Sequence, residues 1–258
     1  MDFKKHCNKL KNIFGLGMVI AQAKFKLKNE GSYLGIFWYL LNPILTFTIL
    51  FLIFADRLGN SIVLYPLYLL LGIIVFNFFQ NATTEASGSI QASVGMIKSI
   101  KFSTISLIVG VMFKNIFSHF FEVVLFFTVC TFFGLNIFGI FYYILLFIPF
   151  SCFVFGVCLI LSSLNVYFAD IGNMWVFFTR ILWLVTPTFY SIGGQTRLFY
   201  LNLFNPMYYF ITIFRDIIIY NKVPNGLYFL AAIGSSLLFL VVGLVIFNKF
   251  KHKFAELI

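Results

Sequence analysis

The sequence has few charged residues. Asp, Glu, Lys and Arg make up 10% of its 258 residues, only 8 are acidic, and hydrophobic residues reach 61%. A water-soluble domain of this size needs a polar exterior, so this composition excludes one. Lipid can serve as the solvent instead. The scarcity of charge therefore indicates a protein embedded in a membrane.

The sequence also lacks the residue patterns of common catalytic and metal sites. Its three histidines, His6, His119 and His252, are scattered, and no HExxH or GxSxG motif occurs. The four cysteines form no CxxC pair, and we interpret them as small hydrophobic side chains. A GxxxxGK[ST] phosphate-binding loop is missing as well. We therefore predict no catalytic residue, metal site or cofactor in this chain.

Long apolar segments occupy most of the chain. A helix needs about 20 mostly apolar residues to cross the hydrocarbon core of a bilayer. We predict an all-α integral membrane protein whose six transmembrane helices lie at about residues 33–55, 62–82, 104–133, 140–164, 171–191 and 227–248.

The lysines orient these segments. They cluster before the first span, between the second and third, and in the tail at residues 249–258. Six crossings place these clusters on one side, which the positive-inside rule assigns to the cytoplasm, so we expect both termini there.

A net charge of +10 also suits a nucleic-acid-binding protein. These lysines flank apolar spans, however, and attract anionic lipid headgroups, so we predict no nucleic-acid partner.

Two segments outside the spans have a distinct composition. Residues 1–30 mix lysines with apolar residues at helical spacing, which predicts an amphipathic helix in the cytoplasmic interface, although a generic membrane-surface anchor has the same composition. The segment Glu85–Lys101 is polar and rich in small residues. It suits a short helix or loop that either contacts a partner or simply connects two spans.

Residues 192–222 separate the last two predicted spans. Met207–Tyr220 is strongly apolar, but about 14 residues are too few to cross the bilayer. Asn205 is a favourable N-cap and Pro206 suits the first helical position. We predict two short helices, at about 193–204 and 207–220, that dip back from the external face. Such backbone is tolerated where it is buried in protein or lines a water-filled cavity, which favours a transport pathway.

Three charged residues, Lys114, Glu122 and Arg180, fall inside predicted spans, where a charge is costly and usually faces protein or water. Lys114 and Glu122 are roughly 12 Å apart along one helix, so they do not pair within a turn. Lys114 has a simple alternative, which is to extend towards the cytoplasmic headgroups. Arg180 lies near mid-span among aromatic residues, and we predict that it faces the pathway or a neighbouring helix.

Several short motifs follow one another along the whole chain, on the predicted topology. They are Tyr33–Trp38, Leu41-Asn42-Pro43, Leu164–Ile171, Thr186-Pro187 with Tyr190, and Asn205–Tyr208. Together they resemble the permease subunits of type 2 ABC exporters, in the subfamily that exports O-antigen, capsular polysaccharide and teichoic acid.

The resemblance implies a function and a set of partners. The chain would form a single transmembrane domain, residues 1–258, that assembles as a homodimer with two copies of an ABC ATPase subunit. ATP and Mg would bind to that separate subunit, so the permease itself would not be an enzyme. The complex would move a lipid-linked polysaccharide across the bacterial cytoplasmic (inner) membrane.

Four groups of residues follow as candidate sites. Aromatic rings can stack on the apolar faces of sugars, so the substrate pathway is predicted to include Phe37, Trp38, Trp175, Arg180, Trp183 and Tyr190, although lipid contact explains each aromatic residue equally well. A lipid-diphosphate head needs cations at the cytoplasmic entrance, where the chain has Lys24, Lys26, Lys28 and Lys101. The resemblance implies ATPase coupling at Ser89, Ser93, Met96, Lys98 and Ser99. It implies an external gate with Asn205, Pro206, Tyr208, Arg215 and Asp216.

Three other functions compete with this interpretation. Within the same class, the chain could export a drug or a lipo-oligosaccharide. A membrane-embedded transferase would need clustered His, Asp or Glu residues near a membrane face, where Asp170 stands alone. An ion-coupled secondary transporter would need a carboxylate relay or an inverted repeat, and Glu85 with Glu122 is slight support for one.

Overall fold

The computed structural model describes residues 2–30, 33, 35–59, 61–99, 102–135, 138–251 and 254, without the side chains of residues 2–10, 28 and 29. Every regular element among them is helical, which confirms the predicted all-α class. Short 3-10 turns at Gly35–Phe37 and Gln91–Ser93 precede α2 and α4. The α-helices are α1 (Asp2–Asn29), α2 (Trp38–Leu58), α3 (Tyr65–Ser89), α4 (Val94–Ser99), α5 (Ile105–Phe132), α6 (Gly139–Tyr167), α7 (Ile171–Val185), α8 (Thr196–Leu203), α9 (Pro206–Ile218) and α10 (Gly226–Phe250).

Five helices in the described part of the chain are long and apolar enough to cross a membrane. They are α2 with its preceding turn, α3, α5, α6 and α10, and each overlaps a predicted span. The remaining predicted span corresponds to α7, which has 15 residues and therefore extends only about 22 Å. A typical hydrocarbon core is about 30 Å thick. The structure supports a multi-pass membrane protein, and the count of six spans stays a prediction.

A proline sets the end of α7. The predicted segment ran to residue 191, but the helix ends at Val185 and Thr186 is extended, with ψ 134°. The ring of Pro187 clashes with a helical conformation of the residue before it, so the helix cannot continue. The chain turns here and leads into α8.

The central helix of the bundle is α3. Most of its residues are buried, and α2, α5, α6, α7 and α9 pack around it. The prediction placed its end near residue 82, but the helix continues to Ser89 because small side chains on its last turns are buried against neighbouring helices. Only the part of the predicted polar segment after Ser89 leaves the bundle, as the 3-10 turn and α4.

Helices α6 and α10 cross with their backbones in direct contact. A Cβ atom on Gly156 would overlap the backbone of Phe239, and one on Gly243 would lie 2.5 Å from the carbonyl oxygen of Gly156. Small residues allow this close approach, which is a common mode of helix association in lipid. The two glycines therefore fix where the last span crosses the bundle.

The N-terminal segment is a helix, as predicted. Helix α1 packs along α5 and buries Ile20 and Ala21, so its apolar face contacts protein. Its placement in the membrane interface remains a prediction.

The predicted short helices before the last span are present as α8 and α9. The Asn205 side-chain oxygen accepts a hydrogen bond from the backbone N–H of Met207 at 3.1 Å, and Pro206 is the first helical residue. This confirms the predicted start of α9. The helix packs on α3, α6 and α10, so it is held within protein.

Candidate functional site

Arg215 on α9 is a buried clamp between three parts of the bundle. Its guanidinium donates hydrogen bonds to the carbonyl oxygens of Pro187 at 2.6 Å, Thr188 at 2.5 Å and Tyr68 at 2.9 Å. It also lies 3.3 Å from the centre of the Tyr68 ring, and the residue is 3% exposed. Because the carbonyl groups belong to α3 and to the turn after α7, Arg215 ties α9 to both. We predicted a gate residue here; the structure places Arg215 in a buried, hydrogen-bonded junction beside the cavity described below, and its role in gating stays a prediction.

Gly72 makes room for this clamp. A Cβ atom at this position of α3 would overlap the carbonyl oxygen of Thr188 and the guanidinium of Arg215. Any larger residue would have to push the turn and the arginine away from α3. The sequence feature that permits the clamp is therefore a single glycine in the middle of a long apolar run.

A second polar network joins α7 to α8 and α9. The Asn205 side-chain amide donates to the hydroxyl of Thr186 at 2.7 Å, and the Asn202 amide donates to the carbonyl of Val185 at 2.9 Å. The Tyr190 hydroxyl also donates to Val185, at 2.7 Å. The bonds from Asn202 and Tyr190 satisfy the carbonyl group of Val185, which is left open where α7 ends. Asn205 and Tyr190, predicted as gate and pathway residues, thus both hold the end of α7.

A cavity of about 780 Å³ opens beside the clamp. Side chains from the loop before α3, from the α7–α8 connection and from α9 line it. Tyr208 and Asp216, both predicted gate residues, are on its wall together with Lys222. Partial burial raises the pKa of the Asp216 carboxyl, against the opposing effect of Lys222. The cavity brings together aromatic and polar groups from the predicted gate.

Charged residues from three helices meet around Glu85 on α3. Its carboxylate lies 2.5 Å from the ammonium of Lys114 on α5 and 3.9 Å from that of Lys24 on α1. The Asn115 amide donates to the same carboxylate at 3.0 Å. Lys114 is thus paired inside the bundle, and the alternative that it extends to the headgroups is wrong for this chain. The cluster joins the N-terminal helix to the bundle core.

Glu122 takes part in another buried network. One of its carboxylate oxygens lies 2.9 Å from Nδ1 of His119, whose Nε2 lies 2.7 Å from the hydroxyl of Tyr143 on α6. All three residues are under 10% exposed. The network explains how a carboxylate is accommodated within α5, and it connects α5 to α6.

A polar pocket of about 380 Å³ lies between α2, α3 and α5. Aromatic residues form part of its wall, among them Trp38, Tyr39 and Phe78. Its polar wall residues are Asn42, Asn81, Asn115, Ser118, His119 and Glu122. The pocket therefore presents amide, hydroxyl and carboxylate groups beside aromatic rings, within three membrane-spanning helices.

The turn after α3 is bonded to the connection between α6 and α7. The Gln91 side-chain amide donates to the backbone carbonyl of Asn165 at 2.8 Å, and the Asn165 amide donates back to Gln91 Oε1 at 2.9 Å. Asn165 also accepts from the backbone N–H of Gly172, on the first turn of α7, at 2.8 Å. One side chain thus connects the segment that carries α4 to the start of α7.

Comparison with known proteins identifies the family. The sequence profile of the ABC-2 type transporter family matches residues 17–219. The chain belongs to this family. It is similar to two O-antigen export system permease proteins RfbA of Klebsiella pneumoniae, one of them 28% identical over 254 residues, which is 95% of this chain and 96% of that protein. It is also similar to the RfbA permease of Myxococcus xanthus, at 22% identity over 251 residues, 94% of this chain and 95% of that one.

The predicted pathway residues of this ABC-2 type transporter chain divide into two groups. Phe37 and Trp38 are 66% and 50% exposed, and Arg180 on α7 is also exposed and makes no hydrogen bond or ion pair within the described residues. Trp175 instead donates to the hydroxyl of Thr83 on α3 at 2.9 Å. Trp183 is half-buried and packs against the ring of Phe189, with the ring centres 5.2 Å apart and the planes tilted by 38°. The first group remains a set of candidates for contact with substrate, whereas Trp175 and Trp183 also anchor α7.

The predicted cationic entrance is only partly described. Lys24 belongs to the Glu85 cluster, where burial lowers its pKa despite the neighbouring carboxylate. Lys26 is exposed and lies 3.7 Å from Glu30. The side chain of Lys28 and the whole of Lys101 lie outside the described residues.

The predicted coupling residues occupy the turn around α4. Met96, Lys98 and Ser99 are exposed on α4, whereas Ser89 is 2% exposed and donates its hydroxyl to the carbonyl of Ala86. Ser93 is half-buried. The exposed members lie where a partner can reach them. Ser89 cannot make direct contact in this arrangement.

Sequence reasoning missed three residues that organise these sites: Gly72, Asn165 and His119. The signal for Asn165 was present, because it belongs to the family-like segment Leu164–Ile171. Gly72 and His119 give no local signal. Their roles depend on which helices lie next to them, and the spacing of residues along one chain does not contain that information.

Proposed function

We propose that this chain is the permease subunit of an ABC exporter that moves a lipid-linked polysaccharide, of the O-antigen, capsule or teichoic acid type, across the bacterial cytoplasmic membrane. The observation that carries the proposal is the similarity to O-antigen export permeases over 95% of the chain. The order of helices also fits, with an N-terminal helix, long apolar helices and short helices before the last one.

A separate ATPase subunit supplies the energy in this proposal and binds the ATP and Mg. Two copies of the chain form the pathway between them, and two ATPase subunits dock on the cytoplasmic side. Exposed α4 and the 3-10 turn before it are the proposed docking site, and the Gln91–Asn165 bonds would carry its movement to α7.

The proposed pathway uses the surfaces that one copy leaves open. Apolar and aromatic residues of α2, of the 3-10 turn before it and of α7 are exposed in the single chain, including Phe37, Trp38 and Phe177. Aromatic rings tolerate many sugar sequences because they stack on C–H faces, and an exposed Arg180 suits a wet conduit better than lipid. The external helices α8 and α9 form the proposed gate at its exit.

Deletion of the gene tests this function. In a strain that assembles a lipid-linked glycan, the deletion should abolish the glycan at the cell surface while the intermediate accumulates in the cytoplasmic membrane. Expression of the wild-type chain should restore export. Normal surface glycan in the deletion strain, with the membrane intermediate unchanged, would refute the proposed function.

A further inference from the structure

The polar pocket between α2, α3 and α5 lies at a defined depth in the bundle. Asn42 is on the second turn of α2, Asn81 is eight residues before the end of α3, and Asn115 is ten residues after the start of α5. A rise of about 1.5 Å per residue places these groups roughly 6–15 Å inside the end of the bundle that carries α4. The pocket therefore lies near the end of the bundle that carries α4, which is the side of the proposed ATPase.

The groups on its wall suit a neutral molecule with many hydroxyl groups. Asparagine amides both donate and accept hydrogen bonds, as sugar hydroxyls do. The side-chain amides of Asn42 and Asn81 are exposed at the pocket and make no hydrogen bond within the described residues. Trp38, half-exposed on the same wall, offers a ring face for the C–H side of a sugar. Hydrogen-bonding side chains beside an aromatic ring are the combination that a sugar ring requires.

The charges around the pocket disfavour an anion. The wall carries the carboxylate of Glu122, and no lysine or arginine is among the described wall residues. Lys114 is close in sequence but is paired with Glu85. A phosphate group here would lie beside the Glu122 carboxylate, whose partner is His119 at 2.9 Å, and no lysine or arginine among the described wall residues would balance its charge, which is unfavourable at low dielectric.

The volume limits the size of the occupant. About 380 Å³ is near the lower end of ligand pockets, which span roughly 300–1,000 Å³. It accommodates a single sugar unit or a disaccharide but not an extended chain. The exposed rim at Asn42 and Asn81 would let the remainder of a larger molecule stay outside the pocket.

We propose that this pocket binds a neutral sugar unit of the exported glycan within the membrane, between α2, α3 and α5. The proposal rests on the proposed function for the source of the sugar, but the binding itself can be measured without export. The diphosphate of the lipid carrier would stay outside the pocket, because no lysine or arginine is among its described wall residues.

Photolabelling tests the pocket directly. Purified permease in nanodiscs is labelled with a hexyl glucoside that carries a diazirine, and labelled peptides are mapped by mass spectrometry. We expect labels on the segments 35–42 and 115–122, with competition by excess hexyl glucoside and little by hexyl phosphate or hexanol. The three competitors share one tail, so the headgroup decides the result. Equal or stronger competition by hexyl phosphate would show an anion site and overturn the proposal, as would equal competition by hexanol.

Variants test the wall residues. The double variant Asn42→Leu with Asn81→Leu should lower the labelling that excess hexyl glucoside suppresses by at least about tenfold, because two hydrogen bonds to the sugar are lost. Folding should persist, since neither amide is bonded within the described residues. The control is Asn248→Leu, an exposed asparagine on the last turns of α10, which should leave labelling unchanged. Unchanged labelling in the double variant would refute the assignment.

A second pair of variants examines stacking. Trp38→Phe keeps a ring and should retain most of the labelling, whereas Trp38→Leu should reduce it several-fold. Equal labelling in both would contradict a stacked sugar. If glycan export persists in the deletion strain while glucoside labelling behaves as expected, the proposed function is wrong and the sugar site stands. If export depends on the gene and hexyl glucoside does not compete, only the sugar site is wrong.

Discussion

Asn165 at the end of α6 and Gln91 in the turn after α3 exchange two hydrogen bonds, of 2.8 and 2.9 Å. A third bond, from the backbone N–H of Gly172 to Asn165 Oδ1, extends the contact to the first turn of α7 at 2.8 Å. The turn with Gln91 leads directly into α4, the proposed docking site of the ATPase. Movement of α4 would therefore reach α7 through a single asparagine.

Asn165→Ala should uncouple ATP hydrolysis from export. Loss of the side chain removes two of the three bonds, each worth about 1 kcal/mol, and leaves α4 free to move without α7. We expect glycan exported per ATP hydrolysed to fall at least about tenfold while ATPase activity persists. The measurement is that ratio in the reconstituted complex.

Asn173→Ala is the matched control, because Asn173 is an exposed asparagine on the first turn of α7, next to Gly172. Its ratio of export to hydrolysis should stay near that of the wild type. Thermal stability is measured alongside, since a purely structural loss would lower both activities together. A wild-type ratio in Asn165→Ala would show that the contact does not transmit the movement.

The Glu85–Lys114 pair should contribute to stability as a unit. Glu85→Gln leaves the ammonium of Lys114, whose side chain is 6% exposed, without a charge partner in the bundle. Breaking a fully buried pair from one side costs about 3–5 kcal/mol. The Glu85 side chain is 27% exposed, so we expect a smaller but measurable loss of thermal stability in nanodiscs.

The double variant Glu85→Met with Lys114→Met should recover much of that loss, because neither charge remains. Lys26→Met is the control, since Lys26 forms an exposed pair with Glu30 and such pairs contribute about 0–1 kcal/mol. A double variant no more stable than Glu85→Gln would contradict a direct pairing.

Gly72→Ala should weaken the Arg215 clamp. The new methyl group would overlap Thr188 and Arg215, and overpacking of this kind costs about 1–3 kcal/mol. Gly88→Ala, on the same helix, meets nothing within 4 Å and should be neutral or stabilising by up to about 1 kcal/mol. The measurement is the thermal unfolding of the two variants in one membrane mimic. If Gly72→Ala is as stable as Gly88→Ala, the turn after α7 moves aside without a cost in stability.

The helices themselves were largely predictable from the sequence. Apolar runs located the five helices that are long and apolar enough to cross a membrane, because length and hydropathy are properties of one segment. The cap at Asn205 and Pro206 was correct for the same reason, since capping depends on neighbouring residues. Helix α3 was predicted too short, because its polar last turns are held by other helices and hydropathy does not report packing.

The site was less predictable. Lys114 and Glu85 are 29 residues apart, and only the register between α3 and α5 brings them together. Tyr190 and Trp175 were predicted to face the pathway from residue type alone, yet both bond to backbone or side-chain groups of the bundle. Residue types indicate which chemistry is available, whereas helix packing decides which groups remain accessible.

The predicted external position of the short helices α8 and α9 can be tested by cysteine labelling. Thr196 at the start of α8 and Lys222 after α9 are both exposed, whereas Asn202 is fully buried and unsuitable as a probe. In a background without native cysteines, single cysteines at 196 and 222 should both react with an impermeant thiol reagent applied outside. A cysteine at Ser99 on α4 should react only after permeabilisation. Reaction at only one of the two external sites would discard the re-entrant gate and the six-span count.

Transport by the purified complex tests the central claim most directly. The permease and its ATPase are reconstituted in proteoliposomes with a fluorescent lipid-linked glycan, and a lectin trapped in the lumen detects glycan that has crossed. We predict ATP-dependent accumulation with the complete complex, and none when the ATPase is omitted or its phosphate-binding lysine is replaced. If the complex hydrolyses ATP and no glycan reaches the lumen, the chain is not the glycan permease that we propose.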